Sequence, residues 1–304
     1  MSKGPATARQ MWSLYEPVHV VSYFTPEARE AFEAAGLRGF WRGYFAGRAA
    51  PIGLTGAAPV IAAFFSFAPA MVSRAIPAVW DLATPAEALA ARQAGAVSAI
   101  RRLLGLAESR EPVPAEVTAA ADLLAAAASE LDMAGRTLAA ANIALPVPEE
   151  PIAKLWHAAT LLREHRGDGH LGALVAADLD ACEALALRAG VDAAGGRAAG
   201  GLSDAGWSRA QMQPARGWSD QEWDAAAERL ANRGLLDGDG VATAAGIAWH
   251  RDIESATDRA AIRPWARLGA QQTAGLAGML RPIAVACAKA LPFPNPVGVP
   301  APVS

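Results

Sequence analysis

The sequence has few of the residues and motifs that mark common kinds of functional site. Its two cysteines, Cys182 and Cys287, form no CxxC motif, and neither has a histidine close to it in the sequence. Thiol chemistry therefore has no support, and we expect two buried thiols in a reducing cytoplasm. The chain has no GxGxxG, P-loop or GxSxG motif, so neither a nucleotide cofactor nor a serine nucleophile of that type has support.

Long apolar runs and a basic excess are also missing. The most apolar stretch, Pro59 to Ala70, contains prolines and is too short to span a bilayer. The N-terminus lacks a basic region followed by an apolar run, so we expect no secretory signal and a cytoplasmic protein. The net charge is −3, whereas proteins that bind duplex DNA usually have a basic excess or a basic face.

Lysine is scarce, whereas arginine and alanine are abundant. Only Lys3, Lys154 and Lys289 among the 27 basic residues are lysine, a bias typical of a GC-rich genome such as that of an actinobacterium. Alanine makes up about a quarter of the chain, and hydrophobic residues together make up 53%. Because alanine is the strongest helix former, we predict a mainly α fold in which helices pack closely around a sizeable core.

Capping signals predict where several helices begin. Thr25-Pro26-Glu27 and Thr84-Pro85-Ala86-Glu87 each combine an N-cap, a proline at the first helical position and an early acid. They predict helices that end at Gly36 and near Leu106. An alanine-rich helix is predicted from about Ala115 to Ala141.

A proline-rich segment over 145–151 cannot continue a helix and predicts a domain boundary. We therefore predict an N-terminal helical domain over 1–145, a winged-helix-like helical domain over 151–290 and a proline-rich tail over 291–304.

Within the second domain, we predict a helix over 151–165 that is broken at Gly167-Asp168-Gly169. A Gly/Ala-rich loop is predicted over 193–206. Ser219-Asp220-Gln221-Glu222 is a capping box, and it begins a helix that ends at Arg233-Gly234.

The segment from Trp218 to Ala260 resembles the winged helix of MarR-type regulators. Its helix ends in RLANRGLL, two Asp-Gly pairs follow, and VATAAGIAWHRDIESATDR leads into a further helix. Asp-Gly pairs between short apolar segments are typical of a β-hairpin. The resemblance implies a helical bundle followed by a winged-helix-like domain with a short β-hairpin wing. It also implies a dimeric, ligand-responsive regulator that binds DNA.

The whole chain is also similar to an uncharacterised actinobacterial helix-turn-helix family. The similar segments are MWSLYEPVHVVSYF, WRGYFAGRAAPIG, LWHAATLLREHRGDGH and PFPNPVG, which are spread over most of the chain. This resemblance implies a helix-turn-helix fold and no particular activity.

The residues at the recognition-helix position argue against DNA binding. Between Ser219 and Arg233 there are four acidic residues and two arginines, and the wing adds Asp237 and Asp239. A helix in the major groove faces dense phosphate charge, and a wing in the minor groove usually supplies basic residues. We therefore expect DNA binding to be degenerate, with the winged helix used for packing or for binding a ligand.

Three polar clusters are candidates for chemistry, and the first lies near the middle of the chain. His165, Asp168 and His170 could converge on a metal ion if the neighbouring glycines fold the chain back. Alternatively, Asp168 caps a helix and His165 interacts with a helix C-terminus. The spacing matches no established zinc motif such as HExxH.

The second cluster is Tyr15-Glu16-Pro17-Val18-His19, followed by Tyr23. A buried Glu16 would raise the pKa of His19 and could create a general acid or base. His19 could equally bind haem or another metal, or be a histidine that is hydrogen-bonded within the core.

The third cluster, Arg38 to Arg48, alternates arginines and aromatic residues around three glycines spaced four apart. Arg42 or Arg48 could bind a carboxylate or phosphate, with Trp41 or Tyr44 as a stacking wall. The same residues could instead form a helix with solvated arginines. In a helix the glycines would allow a neighbour to approach closely.

We predict from these clusters a pocket between the two domains that binds a small, partly apolar ligand. Two alternatives stay open: a MarR-like ligand-responsive regulator that binds DNA as a homodimer, and a metal- or haem-dependent enzyme that uses the histidines. The predicted ligand-binding residues are Trp12, Glu16, His19, Tyr23, Trp41, Arg42, Tyr44 and Arg48, with Phe64 and Phe67 in the pocket wall.

Overall fold

The computed structural model describes residues 4–107, 112–198, 207–292 and 295. Fifteen α-helices lie in these ranges, which confirms the mainly α fold, and none of them is long and apolar enough to cross a membrane. In chain order they are α1 (Pro5–Phe24), α2 (Pro26–Ala34), α3 (Phe40–Ala49), α4 (Ala57–Phe64), α5 (Pro69–Ala75), α6 (Pro85–Leu103), α7 (Ala115–Ala128), α8 (Thr137–Ile143), α9 (Pro151–Ala176), α10 (Ala181–Ala198), α11 (Arg209–Arg216), α12 (Asp220–Asn232), α13 (Ala244–Ala260), α14 (Arg263–Leu268) and α15 (Ala270–Ala288).

The helix starts predicted from capping signals are confirmed. The Thr25 hydroxyl accepts a hydrogen bond from the first turn of α2. Thr84 and Glu87 cap the start of α6 reciprocally, and Ser219 and Glu222 do the same for α12. Each cap satisfies backbone N–H groups that the first turn of a helix leaves unpaired.

The alanine-rich helix predicted to reach Ala141 ends at Ala128, and α8 begins only at Thr137. Arg136, in the turn between them, donates to the backbone carbonyl of His165 over 2.6 Å and to that of Ala260 over 2.9 Å. These bonds join the turn to α9 and α13.

The predicted break at Gly167-Asp168-Gly169 is wrong, because α9 continues to Ala176. A glycine costs a helix about 1 kcal/mol relative to alanine, which tertiary packing readily exceeds. A Cβ at Gly169 would lie 2.7 Å from Arg136 Nη1 and 3.1 Å from Ala260 Cβ. The glycine therefore allows the neighbouring segments to pack directly on α9.

The largest core joins helices from both sides of the proline-rich segment at 145–151. It is built from α1, α6, α7, α9 and α15, with Met11, Leu155, Trp156 and Leu276 buried at its centre. The indole N–H of Trp156 donates to a backbone carbonyl of α1 over 3.1 Å. The segment therefore connects two helices of one shared core, and hydrophobic packing continues across it.

A second core contains the aromatic residues of α2–α5. Phe32 lies directly over Gly43 and Gly47, where an added Cβ would come within 2.9 Å and 2.6 Å of its ring. The glycine spacing in α3 thus allows α2 to approach closely, as predicted.

Helices α10–α13 form the C-terminal unit, which has its own core around Trp207, Trp223 and Leu230. The predicted β-hairpin wing is not formed: the described residues include no strand, and a single antiparallel bridge joins Leu236 to Ala242. The Asp-Gly turn and the start of α13 leave room for only this pair, because Thr243 already caps that helix.

Two predictions fall largely on residues outside those described. α10 continues to Ala198, so the first part of the predicted Gly/Ala-rich loop is helical, and residues 199–206 lie outside the described residues. Of the predicted tail, only residues 291, 292 and 295 are described, and Leu291 and Asn295 are buried.

Candidate functional site

A cavity of about 400 Å³ lies between the N-terminal helices and the C-terminal unit. Side chains from α1, α3, α9 and the end of α4 form one side, and α10, α11 and α13 form the other. Its apolar wall includes Trp12, Phe64, Phe65, Leu174, Trp207 and Met212, and its charged or titratable residues are Arg9, Glu16, Arg48, Arg163, Arg166, His170, Arg188, Arg216, His250 and Glu254.

Four of the predicted ligand-binding residues line this cavity: Trp12, Glu16, Tyr44 and Arg48. The Trp12 indole N–H donates to Glu16 Oε2 over 3.0 Å, and Arg48 Nη1 donates to the Tyr44 hydroxyl oxygen over 3.2 Å. The members of each pair are four residues apart on one helix, so helical spacing alone places them on the same face.

His19 and Tyr23 lie behind the cavity wall. His19 Nδ1 is 2.9 Å from the Thr160 hydroxyl, and Nε2 is 2.8 Å from the Tyr23 hydroxyl. Burial, together with the charge of Arg163, lowers the pKa of His19 well below its usual value. Both ring nitrogens of a neutral, buried imidazole are therefore occupied, which leaves none for haem or another metal.

Trp41 and Arg42 also lie away from the cavity. Trp41 is half-buried and packs edge-on against Phe67 at 5.8 Å between ring centres, while Arg42 is exposed. Tyr44 and Arg48 share one face of α3, and the 3.6-residue period turns Arg42 to another.

The structure does not bring His165, Asp168 and His170 together. His165 Nε2 lies 2.9 Å from Asp132 Oδ1, and Asp168 accepts a hydrogen bond from the backbone N–H of Ala139 over 2.8 Å. His170 alone lines the cavity, with Nδ1 2.9 Å from the Thr257 hydroxyl. His165 and Asp168 share a face of α9 but have separate partners, and His170 is turned away from His165 by about 140°. The described residues include no group of three or more His, Cys, Asp or Glu placed to hold a metal ion.

A buried ion-pair network lies on the bundle side of the cavity. Glu164, with 1% of its side chain exposed, accepts two hydrogen bonds of 3.2 Å from Arg48 and one of 2.8 Å from Arg163. Arg163 also pairs with Glu16 at 3.4 Å. Burial alone would raise the pKa of Glu164, but Arg163 and Arg48 hold it well below its usual value. Burial raises the pKa of Glu16.

A second network connects the bundle to the C-terminal unit. Arg9 on α1 pairs with Glu254 at 2.9 Å and Asp258 at 2.8 Å, and both carboxylates belong to α13. Arg166 on α9 pairs with Asp258 at 2.8 Å, and its guanidinium lies 4.5 Å from the centre of the Trp12 ring. The orientation of the C-terminal unit on the bundle is therefore fixed by charge as well as by apolar packing.

Arg216, at the end of α11, enters the cavity from the C-terminal unit. It is 6% exposed, and its guanidinium stacks on Phe67 at 4.3 Å. Its Nε has no hydrogen-bond partner, and burial lowers its pKa to about 10, so the group is charged at neutral pH.

Sequence reasoning missed Arg163, Arg166 and Arg216 as cavity residues. The first two are three residues apart on α9, and this spacing could have placed them on one face. Arg216 is isolated in the sequence, and only the packing of α11 against the aromatic cluster brings it to the cavity.

Helices α11 and α12 are joined by a three-residue turn. Gly217 in this turn has φ +77°, and a Cβ there would lie 2.8 Å from Met71 Cβ, so both the backbone and the packing require glycine. A short, glycine-containing turn of this kind is the connection found between the two helices of a helix-turn-helix.

The exposed face of α12 is acidic, and the arginines around it are paired locally. Arg209 binds Asp220 over 2.9 Å and Asp224 over 2.5 Å. Arg229 pairs with Glu183 and Asp180, while Arg233 donates to backbone carbonyls before α10. These guanidiniums are engaged within the C-terminal unit.

Residues 8–294 match the model of a helix-turn-helix family, and the chain therefore belongs to that family. No curated protein and no solved structure matches the chain. The family assignment suggests a DNA-binding type of domain.

Proposed function

We propose that this protein binds a small, partly apolar molecule in the cavity between the N-terminal helices and the C-terminal unit. The observation that carries the proposal is a cavity of about 400 Å³ with an aromatic wall and convergent polar groups. Sites for small molecules in proteins are typically clefts of roughly 300–1,000 Å³ with this mixture of apolar walls and a few placed polar groups.

The ion pairs around the cavity support this proposal. Arg48 and Arg163 are held by Glu164, so the charged wall is ordered before any ligand arrives. Fixed polar groups lower the entropic cost of binding a ligand.

Phe65 gives further support. It has φ +41°, a value that bulky residues rarely adopt, and it lines the cavity just after α4. Such strain costs roughly 1–3 kcal/mol and is found mainly at binding and catalytic sites.

Filling the cavity tests the proposal. Gly167 lines it, and a Cβ there would have only ordinary van der Waals contacts, so we expect the side chain of Gly167→Leu to occupy part of the cavity. Gly172→Leu is the matched control, because Gly172 is exposed on the same helix and outside this cavity.

Isothermal titration would use two aromatic and two aliphatic probes: 2-naphthoate, 2-naphthamide, octanoate and octanamide. We expect at least one probe to bind the wild type and the Gly172→Leu variant with similar affinity. The same probe should bind Gly167→Leu much more weakly than it binds the wild type. Equal binding to both variants, or no heat with any probe, would count against the proposal.

The family assignment, together with the short turn that joins α11 and α12, supports a second candidate, a regulator that binds DNA. Such regulators commonly bind two half-sites as a homodimer. Its test is fluorescence anisotropy at low salt with duplexes from the promoter region of the gene.

Because Asp220 and Asp224 lie on the exposed face of α12 and repel phosphates, we expect the wild type to bind DNA only weakly, which would count against the regulator. The double variant Asp220→Asn, Asp224→Asn should bind DNA more strongly than the wild type. Tight, sequence-specific binding by the wild type would instead favour the regulator.

A further inference from the structure

The arginines that line the cavity are not equally neutralised. Arg48 and Arg163 share the carboxylates of Glu164 and Glu16. Arg9 and Arg166, also on the bundle side, share the carboxylates of Glu254 and Asp258 on α13.

Of the two cavity arginines in the C-terminal unit, one has a carboxylate partner and the other has none. Arg188 pairs with Asp192 at 3.1 Å. In the part of the chain that the structure describes, Arg216 is the only cavity arginine that forms no ion pair. It is also nine-tenths buried, and its Nε has no hydrogen-bond partner.

A buried cation without a counter-charge is strongly unfavourable unless something else neutralises it. Stacking on Phe67 offsets only part of this cost. After burial, the neighbouring Tyr44 hydroxyl acts to raise the pKa of Arg216, whereas the repulsive charge of Arg48 acts to lower it, and neither supplies a carboxylate. The free protein therefore retains one positive charge that its own carboxylates do not balance.

We infer that the ligand of this cavity is an organic monoanion whose carboxylate is bound by Arg216. This inference rests on the proposed ligand-binding function and specifies the class of ligand. A single unbalanced guanidinium matches one negative charge, and its planar N–H groups match the two oxygens of a carboxylate. The Nε of Arg166, which is also buried without a partner in the cavity wall, is a further donor. Phe64, Phe65 and Met212 provide the surface for the apolar body of the ligand.

The test compares acids with amides of the same shape by isothermal titration: 2-naphthoate with 2-naphthamide, and octanoate with octanamide. We expect the wild type to bind at least one acid roughly tenfold or more tightly than its amide. Arg216→Met keeps the length of the side chain and removes its charge, so the preference for the acid should disappear. Arg209→Met is the matched control, because this arginine lies on the same helix but outside the cavity and already has carboxylate partners; it should keep the preference within about twofold.

Thermal unfolding without ligand gives a second measurement. Removing an unbalanced buried charge should raise the Tm of Arg216→Met, whereas the loss of exposed ion pairs in Arg209→Met should lower it slightly or leave it unchanged. A fall in Tm for Arg216→Met would mean that the guanidinium is needed for the fold, and would overturn the inference.

The outcomes also distinguish this inference from the function on which it rests. If amides bind as well as acids, and Gly167→Leu abolishes both, the cavity binds ligands but the assignment of an anion is wrong. If neither acids nor amides bind, both the proposed function and the inference fail.

Discussion

Glu164 offers a sharp test of the electrostatic account of the cavity, through the substitution Glu164→Gln. Its side chain is almost completely buried and lies between Arg48 and Arg163, with N–O distances of 3.2 and 2.8 Å. Glutamine keeps the shape of the side chain and one acceptor oxygen, but it removes the negative charge that both guanidiniums share.

The expected loss follows from the cost of unpaired buried charges. Breaking a buried ion pair by removing one partner typically costs about 3–5 kcal/mol, because the remaining charge loses its compensation. We therefore expect Glu164→Gln to lower the free energy of unfolding by about 3 kcal/mol or more at pH 7. The combined loss in Arg48→Met, Glu164→Gln should be smaller than the sum of the single losses by about 1–3 kcal/mol.

The pH dependence has a definite sign. A carboxyl whose folded pKa is depressed contributes stability that is fully present above its unfolded pKa, about 4.3 for glutamate, and is lost as the pH falls through the folded value. Because the pKa of Glu164 is held well below its usual value, the difference between wild type and variant should stay constant from pH 7 down to about pH 4.3 and shrink only below it.

Urea denaturation followed by circular dichroism measures these differences. Glu33→Gln is the control, because Glu33 forms an exposed pair with Arg29 at 4.0 Å on α2 and should lose about 0.5 kcal/mol or less. A loss for Glu164→Gln no larger than that of the control would refute the view that the cavity wall depends on buried ion pairs.

Three further predictions concern other positions. Burial raises the pKa of Asp168 to about 6, so its neutral form is favoured in the folded state and stability is lost as the pH rises through that value. Asp168→Asn should therefore gain roughly 1–3 kcal/mol relative to the wild type between pH 4 and pH 7 in urea denaturation, and parallel pH profiles would contradict this. Gly47→Val should destabilise the protein by roughly 1–3 kcal/mol in urea denaturation, because its Cβ would collide with the ring of Phe32, whereas Gly172→Val, exposed on α9 with open space around its Cβ, should cause little loss. Gly217→Ala should lower the Tm through both its φ of +77° and its contact with Met71, and an unchanged Tm would show that the α11–α12 turn can adjust.

Much of the local structure could be predicted from the sequence, because it depends on residues close together in the chain. The caps at Thr84 and Ser219 act within one helical turn, and alanine content favours helix everywhere. The pairs Trp12–Glu16 and Tyr44–Arg48 could be placed on common faces for the same reason, since they are spaced by one turn.

Predictions failed where distant segments outweigh local preference. Glycines at 167 and 169 suggested a break, but packing by Arg136 and Ala260 keeps α9 continuous. The Asp-Gly turn after α12 suggested a hairpin, but the early start of α13 leaves only one bridging pair. His165 and His170 are neighbours in sequence, yet helical rotation directs them to different partners.

The helical character of the protein and the starts of its capped helices follow from the sequence, because they depend on interactions within a turn or two of helix. Four of the eight predicted ligand-binding residues line the cavity. That α1, α3, α9, α11 and α13 enclose one cavity, and that Arg216 enters it without a carboxylate partner, became visible only in the folded chain. Such an arrangement depends on packing between residues more than a hundred positions apart, and helical periodicity carries no information about contacts at that distance.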